Sequence, residues 1–284
     1  MMKNNCLKLF AWLLIATVMQ ITGCGADSAV NNDNNDNNND NGNENGEEIM
    51  NDTGTKDGIE AEIEKRWQEY GYKEKPAKYI AISFDDGPCT ASSYGGTAAM
   101  LAKLDELKVK ATFFVIGSNV RANKSVAKAI FDAGHELGNH SDGYSGLGGT
   151  TSVETISKSL NAASLAINEI TGKDPILFRA PNLEHGTNLS QVCKEMGMAL
   201  IDGSVNNDWS GNSTSIKNSV LANPQNGGII LLHDNNTSQG NTMSVLPEII
   251  GGLREKGFWI LTVSQLAVVK EKTLEPGKRY DSIK

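Results

Sequence analysis

The strongest restriction on how this chain can fold is an alternation of short apolar runs with longer amphipathic stretches. Seven runs rich in β-branched and aromatic residues read as strands: 79–84, 111–116, 136–140, 176–179, 198–202, 228–232 and 258–263. The stretches between them carry helical spacing. The clearest places Val153, Ile156, Leu160, Ala163, Ile167 and Ile170 on one face, with Thr151 and Ser152 as cap candidates and Gly172 as a stop. Further helices are expected over 98–107, 125–133, 189–196, 216–222 and 246–256. Such alternation predicts a parallel α/β sheet, because parallel neighbours need a crossover between them. A sheet closed into a barrel is the arrangement expected, with an open doubly wound sheet as the alternative.

Polar clusters stand at the ends of these runs. The first run leads into Ser83-Phe84-Asp85-Asp86-Gly87-Pro88, where Gly-Pro breaks the strand and holds two adjacent carboxylates at a rim. Neighbouring carboxylates do not both ionise cheaply unless a cation or water is at hand. Alone, this is an ordinary acidic turn. However, Gly138-Asn139-His140-Ser141 ends the third run, Arg179-Ala180-Pro181-Asn182 the fourth and His233-Asp234 the sixth, while Asp208-Trp209 follows the fifth. Parallel β/α barrels gather their functional groups at the carboxyl ends of the strands. All these residues would then share one rim, giving a metal-assisted hydrolase its ligands, a base, an acid and groups to orient them.

Charge excludes one class of partner. The chain of 284 residues has a net charge of −8. Residues 27–57 hold nine acids against Lys56 and carry all of it, so the rest sums to zero and offers no basic face for nucleic acid. Residues 1–23 read as a secretory signal, with Lys3 and Lys8 flanking an apolar start too short for a membrane span. Residues 24–57, rich in Asn, Asp and Gly, are expected to be a disordered spacer. Residues 58–75 would be a short arm, with Ile63, Trp67 and Tyr70 on one helical face, and 271–284 a tail. Of the cysteines outside the signal and Cys24, Cys89 and Cys193 show no zinc spacing, and either a disulfide or two free thiols is open.

Two resemblances add to this reading. Ile21-Thr22-Gly23-Cys24 resembles the lipobox of bacterial lipoproteins, which implies an extracellular protein anchored to the cell membrane by lipid at Cys24. The five polar clusters, in order across 76–270, resemble those of carbohydrate esterase family 4, the NodB-type polysaccharide deacetylases. That resemblance implies a distorted (β/α)7 barrel acting on an acetylated polysaccharide with one divalent metal ion, zinc or else cobalt or nickel. By the same likeness Asp86 and His140 are metal ligands, Asp85 the base, Arg179 its ion-pair partner, His233 the acid and Asp208 the group that raises the His233 pKa. The Asn182 N–H would hold the oxyanion, and Trp209 and Leu231 would wall the acetyl pocket. A monomer is expected.

The departures are as informative. The family usually carries a second histidine where Tyr144 stands, and Tyr where Asn182 stands. Tyr144 is expected beside the ion without ligating it, since a phenol ionises only near pH 10. The motifs around His140 and Arg179 resemble an acetylxylan-esterase subgroup. Esterase action on O-acetylated xylan is therefore the first reading, N-deacetylation of chitin oligomers or peptidoglycan the second, and a non-catalytic carbohydrate binder the third. His135 is expected to be structural, His185 a surface loop residue and Asp234 a turn former.

Overall fold

The structure is a computed structural model that describes residues 55–90, 95–144, 147–205, 208, 211–234 and 239–284. The expected signal, Cys24, nearly all of the spacer and Trp209 lie outside the described residues. The first half contains α1 Lys56–Arg66, β1 Lys78–Asp85, α2 Gly96–Glu106, β2 Thr112–Val115, α3 Gly117–Ala122, α4 Lys124–Asp132, β3 Glu136–Asn139, α5 Val153–Thr171 and β4 Leu177–Phe178. The second contains α6 Leu189–Glu195, β5 Ala199–Ile201, β6 Ser204–Val205, α7 Ser213–Ala222, β7 Gly228–His233, α8 Gln239–Glu255, β8 Phe258–Leu261, α9 Val263–Val269 and β9 Arg279–Tyr280. Local chemistry explains the boundaries. Ser152 caps α5 through its Oγ, which accepts from the Thr155 N–H at 3.2 Å, and Gly172 ends it in the left-handed region at φ 72°.

The strands form one sheet in the order β6-β7-β1-β2-β3-β4-β5-β9, and every named pair is parallel. Strand β7 lies along one edge of β1, from Ile80 to Asp85. The other edge is shared end to end, with β8 beside Lys78–Ala81 and β2 beside Ser83–Asp85. The sheet curls into the distorted α/β barrel expected from the alternation, not the open doubly wound sheet. The last residues bridge its two ends: β9 pairs with β5, Ser282 bridges Gly228, and the Ile283 N–H donates to Gly227 O at 2.7 Å. Gly227 has φ 87°, and a Cβ there would overlap the Ile283 carbonyl, so glycine permits this seam.

Burial divides along the pleat. One large apolar cluster joins Ile80, Ile82, Phe84, Phe113, Val115, Ile230 and Leu232 to the helices outside the sheet. A second, inside the curl, joins Ala81, Phe114, Leu177, Ala199, Ile201, Ile229 and Leu261. Helices α1 and α9 add Ile59, Ile63, Leu266 and Ala267 to the inner cluster. Trp259, near the start of β8, stacks on Tyr70 and Tyr72 at centroid distances of 5.4 and 5.2 Å, which closes the end where the strands begin. The opposite end of the curl is left to polar residues.

Candidate active site

A period of two puts the polar residues where the inner apolar positions run out. On β1 the inward series is Ala81, Ser83 and Asp85, and on β7 it is Ile229, Leu231 and His233, each pair in direct register. The rim loops carry strain. Asp86, Ser141 and Asn182 follow β1, β3 and β4 with φ of 75°, 63° and 55°, although none is glycine. Such positions gather at functional sites, where surrounding structure holds them in place.

Arg179 is the centre of the site and is wholly buried. Its Nη1 donates to Asp85 Oδ1 at 2.6 Å and to Ser83 Oγ at 2.8 Å. Its Nε donates to Ile201 O at 2.9 Å and its Nη2 to Asp202 O at 2.5 Å. The guanidinium lies 4.1 Å from the Phe114 ring centroid, a cation–π contact in a dry setting. That ring needs space across β3: a Cβ on Gly138 would stand 2.6 Å from it. Arg179 thus spends its donors on fixing its own plane and aiming the Asp85 carboxylate.

The two histidines of the rim are both held through Nδ1, one by a carbonyl and the other by a carboxylate. His140 Nδ1 lies 2.8 Å from Arg179 O. A carbonyl only accepts, so Nδ1 carries a proton and Nε2 is turned to the rim. Nε2 stands 3.4 Å from Asp86 Oδ1 and 3.9 Å from Asp85 Oδ2. His233 Nδ1 likewise donates, to Asp208 Oδ1 at 2.7 Å, which leaves Nε2 as the exposed end. Asp208 is buried and its Oδ2 accepts from the His233 N–H at 2.7 Å and from Thr242 Oγ1 at 2.8 Å. Burial pulls the His233 pKa down, but the hydrogen bond to Asp208 and the charges of Asp85, Asp208 and Asp86 outweigh it, so it lies above the ordinary value.

The donor set fits a divalent cation. Two ligands each about 2.0–2.1 Å from a tetrahedral ion stand about 3.3–3.4 Å apart. The Asp86 Oδ1–His140 Nε2 separation is 3.4 Å, and the second ring nitrogen is held by a carbonyl, as ligating histidines usually are. Among the described residues no cluster of three or more His, Cys, Asp or Glu is placed to hold a metal. Tyr144 is half-exposed beside Asp86; burial, then Asp86 and Cys89, push its pKa up to about 12 against a hydrogen bond to Asn119. It is therefore a neutral phenol here.

The other expected positions fall as follows. Leu231 is buried one layer beneath His233, and Asn182 is exposed in the tight turn Pro181–Leu183, its N–H bonded to no backbone carbonyl among the described residues. His135 is structural: buried, it accepts from the Ala111 N–H at 3.1 Å, and burial lowers its pKa to about 3. His185 is not a free surface residue, since its Nε2 lies 3.1 Å from Asp202 Oδ1. Asp234 is not a turn former. It is buried, its Oδ2 accepts from Thr97 Oγ1 at 2.5 Å, and burial raises its pKa to about 7. Cys89 and Cys193 are not joined in a disulfide. Phe114, Asp202 and Thr242 hold the site together without having been singled out, because their contacts join segments far apart in the chain.

A parallel α/β barrel with paired aspartates, a buried arginine and two oriented histidines at its carboxyl rim is the architecture of a carbohydrate deacetylase. Residues 72–201 match the polysaccharide deacetylase family. A family 4 acetyl xylan esterase from Clostridium thermocellum, solved with a cobalt ion, superposes with a TM-score of 0.66 at 32% identity over 72% of this chain and 99% of that one. A Bacillus cereus peptidoglycan-N-acetylglucosamine deacetylase is 32% identical over 66% of this chain and 88% of its own length. A bifunctional xylanase/deacetylase from Pseudobutyrivibrio xylanivorans is 36% identical over 68% of this chain, which spans only 31% of that longer protein. The chain belongs to carbohydrate esterase family 4, the NodB-type polysaccharide deacetylases, whose members are metal-dependent hydrolases.

Proposed function

We propose that the protein removes acetyl groups from O-acetylated xylan outside the cell. The observation that carries a hydrolytic role is the pairing of two oriented groups across one strand register: Asp85, held by Arg179, opposite His233, held by Asp208. Likeness to an acetyl xylan esterase and to a xylanase fused to a deacetylase supports the choice of glycan. Peptidoglycan or chitin-type N-acetyl groups are the second reading, favoured by the likeness to the Bacillus cereus enzyme.

In this reading Asp86 and His140 hold a divalent ion, zinc, cobalt or nickel. When bound, the ion supplies Lewis acidity for the acetyl carbonyl and the attacking water. Asp85 takes the proton of that water, and Arg179 keeps the carboxylate aimed. The Asn182 N–H donates to the developing oxyanion. His233 delivers a proton from Nε2 to the departing sugar oxygen or nitrogen, and Asp208 keeps that imidazole charged. Leu231 floors the acetyl pocket and Trp209 is assigned its wall. Residues 1–23 direct export, Cys24 carries the lipid and the spacer holds a monomeric domain away from the membrane. Acetate release from acetylated xylan, measured beside an N-acetylglucosamine oligomer, tests the substrate; turnover of the oligomer alone would replace xylan with the second reading.

A further inference from the structure

A side-chain cluster outside the groups given roles above reaches the same machinery from behind. Asp202 follows β5, and its carbonyl accepts from Arg179 Nη2 at 2.5 Å. Its N–H donates to Tyr280 O at 2.8 Å, so its backbone is tied to β9. Its carboxylate lies between two other segments. His185 Nε2, from the loop after β4, is 3.1 Å from Oδ1, and Arg279 Nε, from β9, is 3.3 Å from Oδ2. Among the described residues neither His185 Nε2 nor Asp202 Oδ1 has a hydrogen-bond partner, and both atoms are buried. The C-terminal strand therefore grips, by backbone and side chain together, the residue against which Arg179 rests.

We propose that Asp202 and Arg279 are positioning residues for the hydrolysis, with β9 setting the aim of Asp85 through Arg179. The inference rests on the assignment of Asp85 as the base. A guanidinium is a rigid planar fork, so a shift at Nη2 turns Nη1 and the carboxylate it holds. Misplacing a reacting group by about 1 Å costs about a hundredfold in rate, and a smaller turn correspondingly less. Stability is a separate matter, because the Arg279 side chain is 59% exposed and an ion pair so open to water contributes little to it.

Arg279→Ala and Arg279→Lys, each made in the parent and in Asp85→Asn, test this with acetylated xylan and an N-acetylglucosamine oligomer as substrates. Arg279→Ala is expected to lower kcat roughly tenfold, with KM and melting temperature unchanged, and Arg279→Lys to restore part of the loss. In Asp85→Asn the residual turnover is expected to be the same with or without Arg279. A parent-like kcat in Arg279→Ala overturns the proposal, and so does an equal loss in the Asp85→Asn background. A rise in KM alone also overturns it, making Arg279 a substrate contact. Full activity in Asp85→Asn itself would remove the base assignment and this proposal with it.

Discussion

Removing the Arg179 guanidinium while keeping its stem separates the two tasks it performs. In Arg179→Met the Asp85 carboxylate, only 3% exposed, loses its ion-pair partner, and Ser83 Oγ, Ile201 O and Asp202 O lose a donor. Deleting one member of a buried pair costs about 3–5 kcal/mol, because the remaining charge is stranded. For a domain of this size each kcal/mol moves the melting temperature by about 2–4 °C, so a fall of about 6–20 °C is expected. Adding Asp85→Asn removes the stranded charge and should recover part of that loss. Neither variant should release acetate at better than about a hundredth of the parent rate, since the base is misaimed in one and absent in the other. Thermal unfolding followed by circular dichroism in the presence of a chelator, which keeps a metal from supplying the missing charge, reads the first effect; acetate release reads the second. If the double variant melts no higher than Arg179→Met, the stranded-charge account of this pair is wrong.

Three further outcomes follow from the geometry. An acid that must carry its proton acts below its pKa, so turnover should fall as pH rises through the raised His233 value, and Asp208→Asn should move that fall to lower pH; a pH–rate profile with no such movement separates Asp208 from His233. Tyr144→His would offer a neutral imidazole in place of a phenol pushed up to about 12, so zinc should bind more tightly and resist chelators longer, as a metal-competition titration would show; unchanged affinity would place residue 144 out of reach of the ion. Gly138→Ala would press a methyl against the Phe114 ring under Arg179, so both stability and turnover should drop together, and a silent substitution would mean that the ring has room to move.

Much of this was legible beforehand because strands and helices write different periods into a sequence. All seven expected strands form, and α5 starts and stops at the serine and glycine that mark its ends. The rim residues converge because alternation along β1 and β7 can place Asp85 and His233 only on the inner face once Ala81 and Ile229 are there. Other features left too little local trace. Helix α9 continues the apolar run of β8, so only the reciprocal cap between Thr262 and Gln265 betrays the change of structure. Helix α3 is six residues of mixed polarity, and β9 is two residues whose role depends on a partner strand. The contacts of Asp234 with Thr97 and of Phe114 with Arg179 are products of the closed sheet, and no spacing announces them.

The division of one edge of β1 between β2 and β8, with β7 on the other, gives its neighbours unequal loop-closure costs. Ser83 meets Thr112 after a short excursion of the chain, whereas Ile80 meets Gly228 only after roughly 150 residues have intervened. Loop closure over the longer span costs about 1.4 kcal/mol more, roughly tenfold in probability before any contact rewards it. The neighbours on which Asp85 depends thus differ in sequence distance, with His233 far along the chain from it and the seam at Ile283 farther still. A chain still emerging from its ribosome holds both aspartates before the strand that carries His233.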